Sequence, residues 1–311
     1  MSAVPRRVLV TGGAGFIGSH LVERLVGGGD RTFVLDDLSR GRRTWLRPEA
    51  ELHEVDLRDS EGLRRAVSGI APDVVVHLAA LHFIPAVDSA PELAREVNVE
   101  GTRELLAALE DSPPRLLLFA STAAVYPDRP GPIDEGCEPD PIDLYGETKL
   151  AGERLVADFG SRSRARCIFA RIFNVVGRRE TNPHVVVELV AQLRRGDRTV
   201  RLGNLETRRD YTDVLDVSAA LHGLLSAPEG ADIFNLGSGR SVSVADLVRV
   251  CEGILGDPIE VAVEQTRLRA QDRAELVADA GLLRETIGWR AQRPLKDTLA
   301  ELLADSRTPS H

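Results

Sequence analysis

Cysteine, lysine and aromatic residues are scarce in this chain of 311 residues, and no apolar run is long enough to span a membrane. The three cysteines are odd in number, widely spaced and without a neighbouring histidine cluster, which disfavours both a disulfide framework and a metal site. We therefore predict packing cysteines and no metal ion. Residues 1–7 lack the profile of a signal peptide, so we expect a cytoplasmic protein.

An excess of positive charge is also missing. The chain has 39 Lys and Arg against 48 Asp and Glu, which gives a net charge of -9 and a pI near 5.4. This balance argues against a nucleic acid or an anionic membrane as the main partner. Apolar residues, by contrast, make up 43% of the chain, which is enough for a sizeable core in one large domain or two unequal ones.

The scarcity of lysine makes Lys149 conspicuous, because it is one of only two lysines and lies four residues after Tyr145. On a helix, this spacing places both side chains on one face, one turn apart. An ammonium group favours a neighbouring phenolate, so we expect Lys149 to lower the pKa of Tyr145 and make it an acid/base catalyst. The alternative is a helix surface with an unrelated Tyr and Lys, and the rarity of lysine disfavours it.

The N-terminal segment has the pattern of a dinucleotide-binding turn. A predicted strand at 7–11 is followed by a glycine-rich stretch at 12–18 and then by a helical apolar pattern. Gly12 permits the tight turn, Gly15 lets backbone amides approach a pyrophosphate, and Gly18 lets the helix pack close to the strand. The helix N-terminus then faces the phosphates. Glycine-rich turns are often only turns, so the interpretation depends on the carboxylates that come later in the chain.

Carboxylates follow the next two predicted strands. The strand at 31–35 ends at Asp36 and Asp37, about where an acidic residue meets the adenine ribose. Asp36 at that position would repel a 2′-phosphate and so favours NAD, although the arginines within 40–43 could receive that phosphate. Asp56, at the end of the third strand, either caps an adenine edge or is a simple loop carboxylate.

Two further apolar runs, at 74–80 and 115–120, suit strands that are buried on both faces of a parallel sheet. The first contains His77, which we predict to be a core histidine, and ends in small residues that leave room for a cofactor. The second delivers Thr122 to the edge at which ligands bind in doubly wound sheets. Asn98, on the helix between them, either faces solvent or packs behind the cofactor strand.

Four of these stretches together resemble one family. TGGAGFIG at 11–18, HLAAL at 77–81, STAAVY at 121–126 and YGETK at 145–149 are similar, in this order, to the extended short-chain dehydrogenase/reductase family. Within it, the resemblance is to the nucleotide-sugar epimerases and dehydratases, and it covers nearly the whole chain.

The resemblance implies catalytic roles for Thr122, Tyr145 and Lys149, with Thr122 orienting the substrate hydroxyl. It also implies tightly held NAD, a hexose linked to UDP, GDP or dTDP as substrate, and a homodimer built from the helices around 92–108 and 145–158. In full, the predicted cofactor-binding residues are Gly12, Gly15, Phe16, Ile17, Gly18, Asp36, Asp37, Asp56, Leu57, Leu78, Ala79, Ala80, Asn98, Tyr145 and Lys149.

The second half of the chain is expected to finish the sheet and to build a smaller lobe. There the resemblance implies a phosphate contact from Asn174, a diphosphate clamp from Arg209, ahead of Arg208, with Arg269, and a ribose contact from Asp272. A basic pair is otherwise usually a solvated face. The predicted substrate-binding residues are His82, Thr122, Asn174, Arg209, Arg269 and Asp272.

These observations predict an α/β fold: a Rossmann-type doubly wound parallel sheet with a smaller, interrupted C-terminal substrate lobe. We assign the dinucleotide-binding domain to 1–175, with 210–240 returning to it. The substrate lobe is assigned to 176–209 and 241–311, with residues 277–289 closing it.

The residues after Thr122 narrow the reaction. Family dehydratases carry an acid and a base there, whereas Ala123 and Ala124 cannot move a proton. A 4-epimerase acting through a transient 4-keto intermediate remains, as does an NAD(P)H-dependent 4-ketoreductase, which the short connection between 174 and 209 favours. A non-catalytic dinucleotide-binding regulator is disfavoured because Tyr145 and Lys149 are both kept. The small, uncharged wall suits rotation of the sugar, so we predict an NAD-dependent nucleotide-sugar 4-epimerase.

Overall fold

A computed structural model describes residues 5–267 and 273–305. Within these ranges the strands, β1 to β14 in chain order, are Arg7–Thr11, Arg31–Asp36, Glu51–Glu54, Val74–His77, Leu116–Thr122, Pro132–Ile133, Arg166–Ile172, Asn174–Val176, Thr199–Leu202, Arg208–Asp213, Ile233–Leu236, Ser241–Ser243, Glu260–Val263 and Glu275–Ala278. The α-helices, α1 to α11, are Phe16–Gly27, Ser60–Ile70, Ile84–Ser89, Pro91–Arg95, Gly101–Leu109, Leu144–Ser163, Val185–Arg194, Val214–Leu224, Val244–Leu255, Gly281–Ile287 and Leu295–Ala304. A π-helical turn, Glu96–Glu100, joins α4 to α5.

The main sheet has seven parallel strands in the order β11-β7-β5-β4-β1-β2-β3. The chain builds outward from β1 to β3 on one side and then returns to build from β4 on the other. The carboxyl ends of β1 and β4 therefore flank the point where the winding reverses, which is where ligands bind in such sheets. The predicted doubly wound fold is confirmed.

Both faces of this sheet are covered by helices, which explains its continuous apolar strands. In β1, Val8 and Val10 pack with α1 and α8 on one face, while Leu9 packs with α2, α5 and α6 on the other. His77 is buried in the same core, where its ring nitrogens bond the hydroxyl groups of Thr11 at 2.6 Å and Thr102 at 3.0 Å. Burial lowers the pKa of His77 to about 3, as expected for the predicted core histidine.

A smaller lobe is built around its own apolar cluster. Helices α7, α9 and α11 contribute Leu189, Leu247 and Leu299 to it, and β9 contributes Val200. Helix α9 begins at a capping box, in which Ser243 and the residue three positions later bond each other's backbone amides. Strand β10 lies in the sheet of this lobe, between β12 and β14, and also pairs with β8.

The structure differs from the expected division at two places. Residues 277–289 do not simply close the small lobe, because Leu283, Ile287 and Trp289 of this segment pack against the core of the main sheet. Conversely, β6, which lies within 1–175, pairs with β14 in the second sheet. Short range patterns do not say which of two neighbouring cores an apolar segment joins. The division at 175, 210 and 240 stays a prediction about how the two lobes behave as units.

Candidate active site

A cleft of about 1970 Å³ runs along the carboxyl edge of the main sheet and between the two lobes. Ligand pockets commonly measure about 300–1,000 Å³, so this one has room for a dinucleotide together with a second ligand. Of the predicted site residues that the structure describes, all but Asn98 line it: Gly12, Gly15, Phe16, Ile17, Gly18, Asp36, Asp37, Asp56, Leu57, Leu78, Ala79, Ala80, His82, Thr122, Tyr145, Lys149, Asn174 and Arg209. Arg269 and Asp272 lie outside the described residues.

The glycine turn forms one end of the cleft. Gly12 has a φ of +68°, and a Cβ there would lie 2.8 Å from the backbone nitrogen of Ala79. A Cβ on Gly18 would lie 2.1 Å from the carbonyl oxygen of Gly12, so α1 can approach the turn only if this residue is glycine. Helix α1 begins after Gly15 without a side-chain cap, which leaves its first amides for an anion. The turn fits a pyrophosphate.

Asp36 is buried at the end of β2, where it fixes the backbone around it. Its two carboxylate oxygens accept hydrogen bonds from the amides of Ala14 and Leu38, both at 2.9 Å. Burial raises the pKa of the Asp36 carboxyl. This carboxylate is therefore positioned beside the glycine turn, as a ribose contact requires. Asp56, at the end of the third strand, already bonds Arg58, which lowers its pKa.

Asn98, which was predicted among the cofactor-binding residues, does not line the cleft wall, and a role of Asn98 towards the cofactor stays a prediction. Its amide accepts a hydrogen bond from the Leu81 backbone nitrogen at 2.7 Å and donates to the Leu81 carbonyl at 2.9 Å. It also donates to the hydroxyl of Thr148 on α6 at 3.0 Å. Asn98 therefore connects the loop after β4 to the helix that carries Tyr145. Of the two predicted alternatives, it packs behind the cofactor strand and does not face solvent.

Close packing brings Thr122 and Tyr145 together. Asp143 caps α6 by accepting a hydrogen bond from the amide of Gly146 at 2.7 Å. A Cβ on Gly146 would lie 2.4 Å from the carbonyl oxygen of Ala124, so this glycine lets α6 approach the turn after β5. The sequence reasoning missed Gly146, although a glycine directly after the tyrosine was the available signal.

The electrostatics of the pair differ from expectation. We expected Lys149 to lower the pKa of Tyr145, but burial raises the pKa of Tyr145, and a hydrogen bond with Thr122 lowers it only in part. Burial also lowers the pKa of Lys149 to about 7. The sequence spacing places both residues on α6 at the cleft wall, but it contains no information on how far the two groups are withdrawn from water, and desolvation is the largest cause of both pKa shifts.

Lys149 is buried, with 3% of its surface exposed, and its Nζ lies 4.1 Å from the centre of the Phe119 ring. One turn further along α6, the buried Glu153 forms a two-point ion pair with Arg171, through hydrogen bonds of 2.9 and 2.8 Å. Ser121 donates a further hydrogen bond to Glu153 at 2.5 Å. This network fixes α6 against β5 and β7 directly beneath Lys149, and the sequence reasoning did not find it.

The substrate side of the cleft contains two arginines with different contacts. Arg209 donates hydrogen bonds to the carbonyl oxygens of Arg208 and Arg273. Arg208 itself bonds Ser241, outside the cleft. Arg273 is buried in the cleft wall and donates to the Ala124 carbonyl at 3.0 Å, so it supports the turn after Thr122. Sequence reasoning missed Arg273, which lies just beyond the expected arginine motif.

Comparisons with known proteins agree with this geometry. A family model described as the NAD dependent epimerase/dehydratase family matches residues 8–237. A UDP-glucose 4-epimerase from Streptomyces lividans is 33% identical over 304 residues, which cover 92% of each chain. UDP-glucose 4-epimerase 4 from rice, Oryza sativa subsp. japonica, is 32% identical and covers 94% of this chain and 88% of its own length.

Solved structures give the same result. The complex of Thermus thermophilus UDP-glucose 4-epimerase with NAD superposes with a TM-score of 0.88 at 32% identity, and covers 95% of this chain and 97% of that one. The Thermotoga maritima UDP-glucose 4-epimerase with UDP-glucose has a TM-score of 0.87 at 29% identity, with 95% and 97% covered. Among the described helices, none combines the length and apolarity needed to cross a membrane. The chain thus belongs to the NAD-dependent epimerase/dehydratase family, within the extended short-chain dehydrogenase/reductases.

Proposed function

We propose that this protein inverts the configuration at C4 of a UDP-hexose, with Thr122, Tyr145 and Lys149 as its catalytic residues. It is an NAD-dependent nucleotide-sugar epimerase, as predicted. UDP is proposed as the nucleotide because the similar epimerases from Streptomyces lividans and Thermotoga maritima are named for UDP-glucose or contain it. The observation that carries the catalytic assignment is the meeting of Tyr145 and Thr122 on the wall of a cleft large enough for cofactor and substrate.

The cofactor is NAD, and the residues on the cleft wall fit it. We assign the pyrophosphate to the turn at Gly12, Gly15 and Gly18, where side chains would collide with backbone, and the adenine ribose to Asp36. Lys149 is assigned to the nicotinamide ribose. When bound, NAD accepts the hydrogen of C4 as hydride and returns it.

The chain's own residues handle the proton. Tyr145, as its phenolate, takes the proton of the C4 hydroxyl while that carbon is oxidised, and gives it back when the 4-keto sugar is reduced from its other face. Thr122, whose hydroxyl lies close enough to Tyr145 to lower its pKa in part, orients the sugar hydroxyl. Because burial favours the neutral phenol, Tyr145 must first pass its own proton to Lys149 or to solvent before it can accept the proton of the sugar.

The wall beside Thr122 supports epimerisation over dehydration. Ala123 and Ala124 are both buried and cannot act as acid or base. Their small size leaves space for the 4-keto sugar to turn between its two faces. A 4-ketoreductase remains the second candidate on the sequence alone, but the similarity to a UDP-glucose 4-epimerase solved with NAD and to other UDP-glucose 4-epimerases favours the first.

We also propose a homodimer that pairs the helical segment from α4 to α5 with α6. These are the segments that the family resemblance implies, and Leu93 of α4, which exposes 39% of its surface, lies on one of them. The cytoplasmic location stays a prediction.

The experiment that tests the catalytic assignment is Tyr145→Phe, which removes only the oxygen that moves the proton. We expect kcat for UDP-glucose to fall by roughly a hundredfold or more, the range for a positioned acid/base group, with NAD content unchanged. Tyr126→Phe is the matched control. The Tyr126 hydroxyl donates to Asn235 at 2.7 Å and accepts from Arg171 at 3.2 Å within the core, so its loss should cost about 1–3 kcal/mol of stability and leave kcat within a few-fold. Turnover of Tyr145→Phe close to wild type would refute the assignment.

A further inference from the structure

A cluster of two histidines and a glutamate lies on the wall of the cleft and has no role in the reaction derived above. His82 belongs to the loop after β4, and Glu180 and His184 belong to the segment between β8 and α7. One nitrogen of each imidazole and one carboxylate oxygen lie within 4.8 Å of one another. We propose that His82, Glu180 and His184 form a binding site for a divalent transition-metal ion of the Zn²⁺ class.

The first reason is the state of Glu180. Only 8% of its surface is exposed, and among the residues that the structure describes it forms no ion pair. The neighbouring Arg179 does not compensate its charge, because that guanidinium pairs with Glu23 at 2.7 Å. Buried carboxylates are normally paired with a cation or bound to a metal. A metal ion would supply the missing positive charge.

The hydrogen bonds at Glu180 leave one oxygen for such an ion. Its Oε1 accepts from the amides of Thr181 and Asn182 at 2.8 Å, and from the side-chain nitrogen of Asn182 at 3.2 Å. In the described ranges, Oε1 is the only Glu180 oxygen with such partners. These bonds orient the carboxylate, as outer contacts do for metal-binding carboxylates.

The same contacts determine which form of His82 is present. Asn182 Nδ2 donates to Glu180, which can only accept, so the amide orientation is fixed. Nδ2 also lies 3.0 Å from Nε2 of His82. Since Nδ2 can only donate, Nε2 accepts this hydrogen bond and is not protonated. An unprotonated imidazole nitrogen is a metal ligand, and a metal ion at Nε2 would take the place of the hydrogen bond from Asn182.

Geometry requires only a small closure. Ligands on a tetrahedral zinc ion lie about 3.3 Å apart, given bond lengths of about 2.0–2.1 Å. Donors within 4.8 Å must therefore approach by roughly 1.5 Å at most, which side-chain rotation can supply. The imidazoles of His82 and His184 are nearly parallel, 29° between planes, with centres 6.3 Å apart. Two His and one Glu are the ligands of open zinc sites, in which a fourth position faces the solvent or substrate.

The test measures metal binding directly on the NAD-loaded protein, purified without a histidine tag and treated with a chelator. Titration with Co²⁺, followed by its visible d–d absorption, reports a tetrahedral site, and Zn²⁺ should displace it at one ion per chain. We expect His82→Gln, Glu180→Gln and His184→Gln each to weaken Zn²⁺ binding by more than about a hundredfold, beyond the loss typical of an outer contact. His53→Gln is the control, because His53 also lies beside a carboxylate, at 3.1 Å from Glu51, but far from the cluster in sequence and outside the cleft.

Retained NAD and an unchanged melting temperature identify the variants that are folded, and any one folded variant suffices. The proposal would be overturned if the wild-type protein bound no Zn²⁺, or if any one of the three variants bound Zn²⁺ as tightly as the wild type. The cluster would then be only a hydrogen-bonded part of the cleft wall that includes Asn182. Loss of binding in His53→Gln equal to that in the cluster variants would overturn it as well.

Discussion

The cofactor side and the substrate side of this cleft are built in different ways. The cofactor side is formed mainly by backbone and small residues. The turn at 12–18 and the Ala79-Ala80 segment lie close together because their residues have no side chain or only a small one. On the substrate side, long polar side chains from distant segments meet, as Arg209 and Arg273 do, and each already bonds protein atoms.

The difference has a physical consequence. A site made by close backbone approach tolerates no added atom, since interiors are packed to crystal-like density. A site made by long side chains can change its residues while the backbone stays in place. We therefore expect an atom added to the glycine turn to disrupt the cofactor side as a whole, whereas loss of a cleft-facing side chain on the substrate side should change mainly affinity.

The largest expected effect comes from Gly18→Ala. Its Cβ would lie 2.1 Å from the carbonyl oxygen of Gly12, so either α1 or the turn must move. We expect a loss of about 3 kcal/mol in the free energy of unfolding, the upper end for overpacking, and loss of bound NAD. Denaturant unfolding and the absorbance of released cofactor measure both.

Gly27→Ala is the matched control for Gly18→Ala, because it makes the same change at the other end of the same helix. A Cβ there meets nothing within 4 Å. Alanine is a better helix former than glycine, so stability should stay level or rise by up to about 1 kcal/mol. If both variants retained NAD equally, close backbone approach would not be what makes the cofactor side.

On the substrate side, Arg209→Ala should raise KM for UDP-glucose by about tenfold to a hundredfold, which corresponds to one charge-assisted hydrogen bond of roughly 1.5–3 kcal/mol. Its contacts to a diphosphate would be similar in the ground and transition states, so kcat should change much less. Calorimetric titration with UDP checks the binding term separately.

Arg208→Ala tests whether Arg208, the neighbour of Arg209, contributes to stability and not to nucleotide binding, as its contacts indicate. Arg208 bonds Ser241 and lies near Glu275 and Asp246, outside the cleft. Its removal should lower stability and leave KM within about twofold. Equal effects of the two substitutions on UDP affinity would mean that the positive charge of this strand, not a specific contact, attracts the nucleotide.

The same contrast explains what the sequence could predict. The glycine turn, the apolar strands of the parallel sheet and the Tyr145–Lys149 spacing on one helix depend on residues close together in sequence, and the structure has them as expected. Asn98 was assigned to the cofactor because a polar residue near a binding strand gives no sign of which way it faces.

The degree of burial of a side chain and the pairing of residues far apart in sequence could not be predicted either. The Glu153–Arg171 ion pair joins residues 18 positions apart on a helix and a strand, and its formation depends on how α6 is seated. The raised pKa of Tyr145 has the same origin, since desolvation depends on everything packed around the phenol. No local pattern encodes either.

Lys149 lies between the two sides, and its burial gives a pH signature. Its pKa is about 7 in the folded protein against 10.5 ordinarily, so between these values the unfolded chain binds more protons. Stability without ligands should therefore rise with pH across this window, by up to about 1.4 kcal/mol per unit, a tenfold change in the folding constant. The contact with Phe119 favours the charged form and reduces the slope without reversing it.

Lys149→Met isolates this signature, because it keeps a flexible chain of similar length and removes the charge. The difference in unfolding free energy between wild type and variant should grow in favour of wild type from pH 7 to 10, measured by urea denaturation. A constant difference would show that Lys149 keeps its proton throughout, held by Glu153, and that the expected pairing outweighs burial.

The smallest effect should be the one that replacement of Asp36 has on the preference for NAD over NADP. The Asp36 carboxylate accepts hydrogen bonds from two backbone amides beside the turn. Asp36→Asn keeps the shape of this side chain and removes its charge. A 2′-phosphate at the cleft surface would feel that charge through water, where a unit pair about 4 Å apart interacts by about 1 kcal/mol. The preference for NAD over NADP should therefore fall by only about fivefold, with some loss of stability because an amide cannot accept from both Ala14 and Leu38.

Asp37→Asn, one residue along and exposed, should leave the preference unchanged if position decides it. Ratios of the two dissociation constants, measured by fluorescence titration, compare the variants, and an equal shift in both would mean that the net charge of the loop, together with Arg40, sets the preference.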